Sequence, residues 1–185
     1  MRTNPRRTEV LLCLLLTACT ACLAAAAEKD LRPLLPGKDL PGWPVMAGTY
    51  LYAPGQGLTA IYDGGYEAYL KAGVTEAVQE LYRAADGRVL TVTAHALKDA
   101  AATRAFYLDQ RPKPGKGQPK VTVAAGGRGF VYTDAGSTFG GLRGERVVIL
   151  ASIYGGKGDQ AAAMGQVLVR LAGKLAPAVP PRRQR

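Results

Sequence analysis

Few side chains in this 185-residue chain are suited to chemistry. His95 is the one histidine, and the three cysteines, Cys13, Cys19 and Cys22, all fall in the first 22 residues. An imidazole needs company to act, either a carboxylate or hydroxyl for proton transfer or two or three more ligands around a metal. No thiolate can join it from the body of the chain, which also excludes a disulfide framework there. Asp63 and Glu67 stand four residues apart beside Ile61, Tyr62, Tyr66 and Tyr69. On a helix they share a face, and paired carboxylates are the acid and base of several hydrolytic mechanisms. Solvated helix charges give the same spacing, and Lys71 is placed as an ordinary i,i+4 partner for Glu67.

The remaining motifs are weaker. Ser137 and Ser152 lack the G-x-S-x-G elbow of a nucleophilic serine. Gly155-Gly156-Lys157-Gly158-Asp159 precedes a helix and offers backbone N–H groups to an anion. It departs from the phosphate-loop pattern, however, and Asp159 at the cap repels a phosphate, so a structural turn is expected. The reading is that there are no catalytic residues, no metal site and no cofactor. An enzyme would require Asp63, Glu67 and His95 to converge within about 5 Å in a tyrosine-lined cleft.

The elements that would position these groups can be traced by periodicity. In residues 58–73 the apolar Leu58, Ile61, Tyr62, Tyr66 and Tyr69 recur at helical spacing, which predicts a tyrosine-faced helix ending at a left-handed Gly73. Gly64 and Gly65 in its middle each cost roughly 1 kcal/mol of helix propensity, which implies a close approach to a sheet. Residues 74–83 read as a strand or as continued helix. Asp86-Gly87 marks a hairpin. Residues 88–97 alternate, with Leu90, Val92, Ala94 and Ala96 facing one way and Thr91, Thr93 and His95 the other. Asp99 and Asp159 are predicted N-caps, the first for a helix stopped by Pro112 and the second for one with a buried stripe of Met164, Val167, Leu168, Leu171 and Leu175. Residues 49–53, 121–125, 129–133 and 146–154 are further strands. The expected architecture is α+β, an antiparallel sheet with helices on one face, built from two hairpin–helix units.

Residues 1–27 form an export signal, with a basic start and a short apolar run. Leu16-Thr17-Ala18-Cys19 fits a lipobox, in which Cys19 is acylated and becomes the first mature residue; cleavage after Ala27 is the alternative. Residues 28–42 read as a proline-broken linker, residues 43–176 as one domain with Trp43 as a core plug, and residues 177–185 as a disordered basic tail.

The net charge of +10 is unevenly spread. Residues 28–110 carry 8 basic and 10 acidic side chains, whereas residues 111–185 carry 13 basic and 3 acidic. Arg111, Lys113, Lys116, Lys120, Arg128, Arg143 and Arg146 are therefore candidates to meet anionic envelope polymers or lipid head groups. Nucleic acid is not an expected partner, because the chain is exported and its basic loop has no interleaved aromatics.

Gly42-Trp43 after a Leu-Pro, then Tyr52, Leu58, Ile61 and Asp63-Gly64-Gly65, then Tyr69, Gly73, Tyr82 and Ala105-Phe106, follow an order similar to a bacterial family of exported proteins and lipoproteins known only as a domain of unknown function. The family usually has Asn-Gly where this chain has Asp63-Gly64. The resemblance spans about residues 34–175 and implies an exported α+β domain, with no activity and no functional residue to carry over. An exported envelope protein anchored through Cys19, non-enzymatic, with a binding or structural role, is the expectation.

Overall fold

The computed structural model describes residues 31–113, 120–156 and 158–175. Seven strands form one sheet: β1 (Leu51–Pro54), β2 (Val74–Arg83), β3 (Val89–Leu97), β4 (Thr122–Ala124), β5 (Gly129–Asp134), β6 (Ser137–Arg143) and β7 (Val147–Tyr154). Their order is β1-β2-β3-β7-β6-β5-β4, and every neighbouring pair is antiparallel. Three α-helices accompany them: α1 (Tyr66–Ala72), α2 (Ala100–Asp109) and α3 (Gln160–Leu175). The α+β class and the antiparallel sheet are as expected. No helix among the described residues is long and apolar enough to cross a membrane.

The local signals act where they were read. Gly87 turns the β2–β3 hairpin with φ 86°. The Asp99 carboxylate accepts from the Ala102 amide at 2.7 Å and the Asp159 carboxylate from the Ala162 amide at 2.9 Å. Each satisfies an N–H that a helix start leaves open. Gly73 closes α1 at φ 95°. Residues 74–83 are strand, so the helical alternative is set aside.

Four expectations are corrected. First, residues 58–73 are not one helix. A 3-10 segment (Gly55–Ala60) and α1 are separated by a bend at Gly64 and Gly65, whose φ values of 79° and 78° lie in the left-handed region. The glycines are there to reverse the chain, a conformation other residues resist. Second, helices cover both faces of the sheet. On one face α3 packs through Met164, Leu168 and Leu171 against Leu90, Leu142 and Ile149. On the other, α1 and α2 pack through Tyr69 and Phe106 around Leu58, Leu97 and Val148. Third, residues 31–42 differ from a linker, because Leu31, Leu35 and Leu40 are buried in the α3-side core. Tyr82, fully buried, holds this segment by accepting from the Gly37 amide at 3.2 Å while donating to the Glu80 carboxylate. Fourth, residues 137–143, where no strand is expected, form β6. A Cβ at Gly140 would lie 2.8 Å from the Met164 sulfur, and one at Gly141 2.6 Å from the Phe130 ring. Its two glycines weaken the strand signal because each admits a neighbour that a side chain would exclude.

Candidate functional site

His95 projects from β3 into the α1–α2 face and is fully buried. Its Nδ1–H donates to the Val148 carbonyl on β7 at 3.1 Å, which leaves Nε2 bare to accept from the Tyr62 hydroxyl. Tyr62 comes from the bend before α1 and stacks on Tyr69 of α1, centroids 3.8 Å apart. The Phe106 ring of α2 closes the other side, 5.3 Å from the imidazole centroid. Burial pushes the His95 imidazole down to about 4, so it is neutral at pH 7. The Tyr62 phenol is pushed up by burial and then by Tyr69 beside it, so it stays a donor. Both ring nitrogens are occupied, and proton transfer to an outside group would have to break this network first.

The acidic pair does not join it. Asp63 lies in the bend and not on α1, so it does not share a helical face with Glu67, and both carboxylates are exposed while His95 is sealed. Among the described residues no group of three His, Cys, Asp or Glu side chains is placed to hold a metal. Ser152 is four residues along β7 from Val148, the partner of His95, which is about 13 Å of strand. Ser137 starts β6. Gly156 packs against the β2–β3 hairpin, where an added Cβ would meet the Arg88 side chain at 2.5 Å. Cys19, Lys116 and Lys157 lie outside the described residues.

The basic residues whose contacts are described lie on both faces of the sheet. Arg128 donates to the Ala172 carbonyl at 3.4 Å on the α3 side. Arg143 lies 5.7 Å over the Tyr107 ring on the opposite face, and Arg146 donates to the Lys98 carbonyl at 2.6 Å.

A concave surface lies elsewhere. Leu40, Pro41 and Trp43 on one side and residues 122–125 on the other flank the outward face of α3, enclosing a groove of about 840 Å³. Its exposed aliphatics are Val123, 63% accessible, and Val169, 62%. Val169 is far more open than the buried stripe of its own helix, and both valines line the groove. Among the described residues lining it, Arg170 is the one ionised group. Sequence reading missed this site. Its signal was the small and apolar set Ala161, Ala162, Gly165 and Val169 on the side of α3 opposite the buried stripe.

The positions that carried the family resemblance are structural in their setting: Trp43, Leu58, Tyr82 and Phe106 are all buried. No family model and no curated protein matches the chain. Among solved structures it is similar to the extracellular domain of PknH from Mycobacterium tuberculosis, with a TM-score of 0.44 and 12% identity over 70% of this chain and 85% of that one.

Proposed function

We propose that this protein is an exported envelope module, tethered to the membrane through an acylated Cys19, whose role is to bind without catalysing. The signal-like residues 1–27 and the lipobox at residues 16–19 support export and anchoring. The observation that carries the binding role is a separation: the histidine is consumed within one face of the sheet, while the groove lies on the other. A pocket of several hundred Å³ lined by apolar side chains with one or two polar groups is the usual form of a ligand site. Catalysis would need groups able to exchange protons inside such a pocket, and its described lining offers no His, Asp, Glu, Cys, Lys or Tyr side chain.

Intact-mass measurement of the protein purified from its own membranes tests the tether. A mature chain beginning at Cys19 and carrying acyl chains is expected. A bare chain beginning at Glu28 would make it a soluble exported protein and overturn the anchoring. Cys19→Ala should likewise move the protein from the membrane fraction to the soluble one.

A further inference from the structure

The groove is described above by its walls; its dimensions and single charge also indicate what fills it. We infer that it holds a single-chain anionic lipid, the acyl chain lying along α3 and the head group at Arg170. This deepens the binding reading and rests on it.

The floor of the groove is a helix face that carries small side chains at Ala161, Ala162 and Gly165 and an exposed aliphatic at Val169. Between Ala161 and Arg170 the helix rises about 13 Å, a slot suited to one extended alkyl chain. A Cβ built at Gly165 meets nothing within 4 Å, so the space above this position is open. Val123, on the edge strand, and Trp43, from the lead-in, wall the slot with apolar surface. An alkyl chain has no N–H or C=O groups to satisfy in such a lining. The charge is at one end: Arg170 lies on the last part of α3 to line the groove, and its planar fork suits a carboxylate or phosphate.

Location agrees with this chemistry. Leu31, the first described residue, belongs to the same α3-side core as Leu40 and Trp43. Only residues 20–30 separate it from Cys19, at most about 40 Å when fully extended. A chain anchored at Cys19 would therefore hold the groove close to a bilayer, where single-chain lipids are concentrated.

Trp43 is the only tryptophan and lines the groove, so it reports occupancy directly. The full-length protein is titrated with oleate brominated along its chain, since bromine quenches a tryptophan it touches. Saturable quenching below the micelle threshold is expected. Gly165→Phe should abolish it by filling the slot, while Gly173→Phe, made on the same helix at a glycine outside the groove and also open around its Cβ, should leave it intact. Arg170→Gln should weaken the fatty acid about tenfold, as loss of a charge-assisted bond would, and leave the corresponding methyl ester unchanged. Absence of quenching, or quenching that Gly165→Phe does not alter, would overturn the proposal. So would a homodimer that Gly165→Phe dissociates without any oleate binding, which would assign the groove to a second copy. The tether reading fails separately: an unacylated mature chain whose Trp43 is still quenched removes the anchor and keeps the lipid.

Discussion

The α1–α2 face buries a histidine among tyrosines and phenylalanines, whereas the α3 face is closed mainly by Leu, Val, Ile and Met with Trp43 and Tyr82. A buried imidazole requires directional partners, and the Val148 carbonyl and Tyr62 hydroxyl hold it from two different elements. That face is consequently locked. Aliphatic packing makes no such demand, so the outer surface of α3 can remain uncovered at little cost beyond its exposed apolar area. Polar content sits where the fold is closed, and the opening sits where the lining is bland. This contrast is why the groove reads as a binding surface and the histidine as architecture.

Both cores should fail by similar amounts when emptied, which sets the scale. Phe106→Ala on the histidine face should cost about 3–5 kcal/mol and Leu168→Ala on the α3 face about 2–5 kcal/mol, read from urea unfolding midpoints. Acid should then separate the faces. The unfolded chain protonates His95 near 6.5 and the folded protein only near 4, so between these values the unfolded state binds more protons. Stability therefore falls as pH drops through that window, by on the order of 3 kcal/mol. The same urea titration at pH 7 and pH 4 should show the loss in Leu168→Ala as in the parent protein. A flat response would break the claim that the imidazole is held neutral.

Tyr62→Phe removes the donor to Nε2 and should cost about 1–3 kcal/mol, because a buried acceptor is left unmet. It should also move the His95 Nε2 signal in NMR spectra toward that of an imidazole nitrogen without a hydrogen bond. On the other face, Gly165→Ala should stabilise the protein by up to about 1 kcal/mol through helix propensity, since its Cβ meets nothing. The smallest effect belongs to Asp63→Asn and Glu67→Gln, which should each change stability by no more than about 0.5 kcal/mol, as exposed side chains do. A large loss from either would show that its carboxylate has a structural partner.

Much of this fold could be read along the chain because its signals are short-ranged. The alternation in β3, the caps at Asp99, Asp159 and Gly73, the Asp86-Gly87 turn and the buried stripe of α3 each involve residues a few positions apart, where periodicity and one hydrogen bond decide the outcome. The helix expected over residues 58–73 failed on the same logic. Spacing placed five apolar residues on one face, but two left-handed glycines reversed the chain between them.

Distant pairings are what the tertiary structure alone decided. Tyr62 reaches His95 across 33 residues and Val148 reaches it across 53. Whether that imidazole was exposed, metal-bound or sealed depended on β7 lying beside β3. β6 is a strand through its pairing with β5 and β7, and its glycines leave the room that Met164 and Phe130 occupy. The groove is assembled from four separate segments, around residues 41, 123, 131 and 165. Local sequence sets the conformations a segment prefers; the burial that selects among them is a property of what the rest of the chain places against it.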